Sequence, residues 1–116
     1  MDLKECYAAL GGNYESALGR LHSERLVNKF VLMFLRDGSF ELLQKSLAEQ
    51  DYQEAFRAAH TIKGMCQNLS FDKLQASASE LTESLRNGWS EGVPGYLAQV
   101  EADYRQTVAA IQALDQ

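Results

Sequence analysis

The sequence has one proline, at position 94, so almost nothing along it forces a long helix to break. It has two cysteines, Cys6 and Cys66. Two thiols do not make the disulfide framework of a small secreted domain, and both are expected in the reduced form. Long apolar runs are also missing: the longest, which takes in Val31 to Leu35 and begins at Phe30, falls far short of the ~20 residues that span a bilayer. The opening Met1-Asp2-Leu3-Lys4-Glu5 is not a basic-then-apolar leader, so the cytoplasm is the expected compartment. Positive charge is in short supply, with 11 Lys+Arg against 16 Asp+Glu and a formal charge of −5. That balance argues against nucleic acid, which needs a basic face to displace counterions, and against anionic membrane surfaces. Histidine is scarce too. With His22 and His60 alone and no Glu-x-x-His pair, no metal site is expected. There is no glycine-rich phosphate loop and no carboxylate cluster evidently built for Mg²⁺.

What is present suits one domain over residues 1–116. The chain is 46% apolar, enough to bury a continuous core, and 23% charged, too little for disorder. Turn signals at Gly11-Gly12-Asn13, Asp37-Gly38-Ser39, Glu49-Gln50-Asp51, Asn68-Leu69-Ser70 and Asn87-Gly88 through Pro94-Gly95 cut it into pieces of helical length. Between them apolar residues recur at helical spacing. Val27, Phe30, Val31 and Phe34 share a face, continued by Phe40, Leu43 and Leu47. Tyr52, Ala55, Ala59, Ile62, Cys66 and Leu69 form the next stripe. Phe71, Leu74, Ala78, Leu81 and Leu85 follow, then Leu97, Val100, Tyr104, Val108 and Ile111. Asp51 with Glu54 has capping-box spacing. Ser39 and Ser70 stand where they can cap helices beginning at Phe40 and Phe71, and Pro94 suits a first helical turn. Three segments of about 17 to 21 residues would each be roughly 25 to 30 Å long. The expected fold is all-α: an antiparallel four-helix bundle with short additional N-terminal helices covering one end.

On the helix around Tyr52 to Leu69, successive residues turn by ~100°, which points His60 roughly 125° away from the buried stripe. A histidine met at random is most often a satisfied structural residue, but this geometry displays His60 to water. Gly64 lies one turn further on, almost opposite the core, with Gln53, Arg57 and Gln67 around it. Glycine inside a helix costs ~1 kcal/mol relative to alanine, and no helix packing asks for a small residue there. The missing side chain leaves room for another molecule to reach the imidazole. Lys63, at i+3, can set an ammonium beside anything attached to the ring; taken alone it reads as a solvated boundary lysine. Phe56 sits at the boundary one turn earlier, either in an apolar docking patch or partly in the core.

The stretch Ala58-Ala59-His60-Thr61-Ile62-Lys63-Gly64 closely resembles the phosphorylation motif of histidine-phosphotransfer (HPt) domains of bacterial two-component phosphorelays. Those domains are helical bundles of about this length. The chain departs from their pattern in two places: Ser70 stands where the family often has glycine, and Met65 where it favours a small residue. The resemblance implies a phosphocarrier, not a self-sufficient enzyme. His60 would accept a phosphoryl group, Lys63 would offset its charge, and Gly64 would admit the partner's aspartate. Gln67, Arg57 and Phe56 are candidate phosphate or receiver contacts, though Gln67 reads equally as a solvated glutamine. The implied partners are response-regulator receiver domains and a sensor or hybrid histidine kinase. No cofactor is expected on this chain, with Mg²⁺ expected on the receiver.

The chemistry is consistent with that reading. A solvated imidazole is largely neutral near pH 7 and carries a free lone pair, so it can attack phosphorus without a base. Phosphoryl transfer then depends on alignment and on charge neutralisation. The rival reading is a helical interaction module that docks a receiver or kinase without carrying phosphate. It shares the same face and predicts binding that survives loss of His60.

Overall fold

Short polar side chains start most of the helices. In a computed structural model that describes residues 1–115, Asp2 accepts from the Glu5 N–H and Glu5 answers at the Asp2 N–H, a complete capping box for α1 (Leu3–Leu10). Asn13 caps α2 (Tyr14–Leu21) and Ser23 caps α3 (Glu24–Phe34), each accepting from the N–H three residues on. Asp51 caps α5 (Tyr52–Leu69) by accepting from the Glu54 N–H at 3.1 Å. Its box stays half built, because the Glu54 carboxylate turns to Arg57 instead.

Two expected caps are replaced. Helix α4 (Ser39–Ala48) begins at Ser39 rather than after it, and Asp37 Oδ2 accepts the Ser39 N–H at 2.8 Å. Helix α6 (Asp72–Leu85) begins one residue later than expected, after Phe71, with no side-chain cap. Ser70 instead ends α5 in the left-handed conformation, φ 57°. Its hydroxyl is drawn away from α6, donating to Ser16 Oγ at 2.9 Å and accepting from Arg20. Helix α6 is therefore 14 residues long, shorter than expected beside the 18 of α5 and the 20 of α7 (Val93–Gln112). Pro94 lies in the first turn of α7, as its fixed φ favours.

All secondary structure among the described residues is helical. Helices α4 to α7 close a four-membered antiparallel ring. Phe40 stacks on Tyr104 at 3.9 Å while Gln44, one turn later, reaches Glu101, so α4 and α7 run in opposite directions. Lys73 meets Gln106 at one end of α6, and the Ser90 hydroxyl meets the Ser84 carbonyl at the other, which sets α7 antiparallel to α6. Helices α1 to α3 cover the end where α5 turns into α6. There Tyr7, Tyr14, Phe34 and Phe71 pack edge-on or tilted at 5.3 to 5.7 Å, the aromatic geometry that favours ring edges against faces. The Tyr7 hydroxyl donates to the Leu69 carbonyl at 2.8 Å in the buried core.

The buried stripes of α3, α5 and α6 follow the sequence pattern closely. That of α7 does not. Val100 and Ile111 are buried as expected, but Leu97, Tyr104 and Val108 are only half-buried, and Asp103 and Thr107 take the centre. Asp103 is 4% exposed; it accepts from Gln99 at 3.0 Å and lies 3.8 Å from the Lys73 ammonium. A buried charge persists where it is paired and hydrogen-bonded in this way. No helix among the described residues is long and apolar enough to cross a membrane.

Candidate functional site

Helix α5 buries Ala55, Ala58, Ala59, Ile62, Cys66 and Leu69 against its neighbours, and that alignment decides what its other side displays. His60 is exposed in the middle of the helix. One turn before it, half-buried Phe56 lies with its ring 7° from parallel to the imidazole, centroids 6.1 Å apart. The histidine is thus presented to solvent beside a hydrocarbon ring.

Lys63 is half-buried on the flank facing α6. Across from it, Glu83 of α6 is gripped by Arg86, with Nη2 to Oε1 at 2.9 Å and Nε to Oε2 at 3.0 Å. The hydrogen bonds and charge of Arg86 hold the Glu83 carboxyl below the usual carboxylate range, with a smaller contribution from Lys63. The guanidinium carbon of Arg86 in turn sits 5.2 Å from the Phe56 ring centroid. Phe56, His60, Lys63, Glu83 and Arg86 therefore belong to one patch built from two helices. Arg57 points elsewhere: its side chain is 65% exposed and pairs with Glu54 at 3.4 Å.

Gly64 is exposed, and a Cβ built on it would meet nothing within 4 Å. The same holds at Gly19, Gly38, Gly88 and Gly95, so open space alone does not single it out. Its place does: it is one turn past an exposed histidine, in the interior of the helix. Beside it a shallow groove of about 320 Å³ is lined by Arg20, Gly64, Gln67 and Asn68. Gln67 is exposed there. Arg20, from α2, donates to the carbonyls of Gln67 and Asn68 and to Ser70 Oγ, so a cation closes the C-terminal end of α5.

The two departures from the family pattern have physical accounts. Position 70 is a left-handed cap at φ 57°, where glycine is the least strained residue. Serine holds that conformation while its hydroxyl bonds to Ser16 and Arg20. Met65 is half-buried and, with Phe30, Met33 and Leu69, lines the seam between α3 and α5. A small residue there would leave that seam empty.

Three residues of this neighbourhood escaped the sequence reading: Arg20, Glu83 and Arg86. The Glu83–Arg86 pair is legible at i,i+3 on its own helix, but nothing in the spacing says that Arg86 reaches Phe56. Arg20 reads as a cation in the last turn of α2, whereas it serves the end of α5. Cys66 is fully buried and burial pushes its thiol up to about 12, as an inert core cysteine requires. Among the described residues no cluster of three or more His, Cys, Asp or Glu has the arrangement of a metal site.

A family model described as Hpt domain matches residues 32–115. No curated protein and no solved structure matches the chain. The matched segment takes in α4 to α7 and the end of α3, leaving α1, α2 and most of α3 outside it.

Proposed function

Since this chain belongs to the Hpt domain family, whose members carry phosphoryl groups in two-component signalling rather than act as enzymes, we propose that His60 is its phosphoacceptor. The observation that carries the reading is the pairing of an exposed mid-helix His60 with an open Gly64 one turn away. In the proposed reaction a ring nitrogen of His60 attacks the phosphorus of a receiver domain's aspartyl phosphate. The new N–P bond forms as the P–O bond to the aspartate breaks, and the aspartate leaves as a carboxylate with the bonding pair. No proton has to be taken from the attacking nitrogen. The reverse step, with the carboxylate of a second receiver as nucleophile, passes the group on.

Each neighbour has a part in that exchange. Lys63 offsets the charge of the phosphoryl group, and Gly64 lets the aspartate approach in line. Arg86 holds Glu83, so that carboxylate is already paired and competes less for Lys63. Phe56 supplies an apolar neighbour whose ring lies nearly parallel to the imidazole. Mg²⁺ is proposed on the receiver, where it would offset charge on the phosphate. Gln67, across the Gly64 groove, is proposed as a hydrogen-bond donor to phosphate oxygens.

The test is ³¹P NMR at neutral to alkaline pH after incubation with phosphoramidate or a phosphorylated receiver domain, on wild type and His60→Gln. An acid-labile phosphoramidate resonance, absent from the variant, is expected. A folded wild type that shows no such resonance with any donor would refute the carrier role and leave a docking module that carries no phosphate.

A further inference from the structure

One large side chain near the site is left uncovered. Trp89, the chain's single tryptophan, is 53% exposed in the connection between α6 and α7. Its ring lies 5.7 Å from that of Tyr52, at the start of α5. Tyr52, Phe56 and His60 follow each other at i, i+4 and i+8, each step turning about 40° around the same helix. An aromatic strip of two pairs, Phe56 with His60 and Tyr52 with Trp89, therefore leads from His60 to Trp89, with Arg86 lying over the Phe56 ring.

The connection that carries Trp89 is held in place. The Gly88 N–H donates to the Leu85 carbonyl, the Ser90 hydroxyl to the Ser84 carbonyl at 2.8 Å, and the Val93 N–H to the Ser90 carbonyl. Gly88 makes the turn at φ 96°, a conformation open to glycine. The indole is thus offered on a preset backbone, which lowers the ordering cost of binding. Tryptophan and arginine are the residue types that most often dominate binding energy at interfaces.

Resting on the carrier reading above, we propose that Trp89 and Tyr52 anchor the receiver domain that exchanges phosphoryl groups with His60. Distance supports that occupant. Eight residues of helix place Tyr52 ~12 Å from His60. A standard interface covers roughly 800 Å² on each partner, a disc of about 16 Å radius, so a receiver seated on His60 also reaches this strip. Charge supports it as well. Arg86 lies over Phe56 and Lys63 stands one turn past His60 in a chain whose net charge is −5, and a receiver presents a carboxylate-bearing end to His60. The strip lies toward the N-terminal end of α5, opposite in direction to the Gly64 groove. It would fix how the receiver is turned about His60.

Trp89 fluorescence reads the contact directly. The receiver domain that binds this chain most tightly, in a tryptophan-free form, should blue-shift the Trp89 emission on titration. Trp89→Ala should weaken its Kd at least tenfold and Trp89→Phe much less. Both variants should keep the wild-type helical circular dichroism and label at His60 with phosphoramidate at the wild-type rate, since that small donor needs no docking. A Trp89→Ala protein with unchanged receiver Kd overturns the proposal. So does a blue shift that follows the protein's own concentration without receiver, which would assign the face to a second copy. Failure of phosphoramidate to label the wild type refutes the carrier role instead, while a tenfold loss of receiver binding in Trp89→Ala would still uphold the docking strip.

Discussion

At Gly64 an added methyl group meets nothing within 4 Å, and the residue sits inside a helix where alanine is worth about 1 kcal/mol more than glycine. Gly64→Ala should therefore raise the melting temperature by a few degrees and Gly64→Gln leave it near wild type, while both slow transfer from a receiver, the glutamine by tenfold or more. Thermal melts and single-turnover transfer on the same samples separate the two effects. Wild-type transfer by Gly64→Gln would remove the approach argument. A second prediction concerns the patch on α6. Arg86 occupies Glu83, so Arg86→Ala should free that carboxylate to face Lys63 and slow transfer several-fold. Adding Glu83→Gln to Arg86→Ala should restore most of the rate. If it does not, Arg86 acts in some other way than by neutralising Glu83.

At the scale of the helix, the end of α5 shows how much capping the site depends on. The last carbonyls of a helix have no partner within it. Here Leu69 is served by the Tyr7 hydroxyl from α1, Gln67 and Asn68 by Arg20 from α2, and Cys66 by the Phe71 N–H. Helices outside the family-matched segment thus finish the helix that bears His60. Tyr7→Phe removes one hydroxyl and strands a buried carbonyl, which should lower stability by about 1–3 kcal/mol in urea unfolding. His60 lies in the middle of the helix, more than two turns before Leu69, so its labelling by phosphoramidate should not change. Stability equal to wild type would mean that the Leu69 carbonyl has another partner.

Over the whole molecule, burial of acidic protons makes the fold sensitive to alkali. Burial pushes Cys6 up to about 11 and Cys66 up to about 12, from an ordinary 9.0, and raises the Tyr7 phenol in the same direction. Above pH 9 the unfolded thiols give up protons that the folded ones keep. The folded state then binds more protons than the unfolded one, and stability falls as pH rises. The urea midpoint should stay flat from pH 7 to about 8.5 and decline between about 9 and 11. The decline should be shallower in Cys66→Ala, which is itself less stable. A midpoint that is level to pH 11 would contradict the burial of these groups.

Periodicity, turn residues and the near absence of proline were enough to determine an all-helical chain, a bundle with short helices ahead of it, and an outward-facing His60 with Gly64 on the same side. Those features are local: they follow from 3.6 residues per turn and from which side chains avoid water. The buried stripe of α7 was legible only at Val100 and Ile111, because Asp103 is buried with Lys73 of another helix beside it as well as Gln99 of its own. Ser70 was misread as a cap for α6, since its hydroxyl is claimed by Ser16 and Arg20, which sequence places 54 and 50 residues away. The patch around His60 was half legible: Lys63 and Phe56 are on its own helix, but Glu83, Arg86 and Trp89 reach it through the packing of α6 and the turn that follows. A sequence determines which face a residue takes on its own helix. Which residues of other helices meet that face depends on distances across the bundle, and only the tertiary structure decides those.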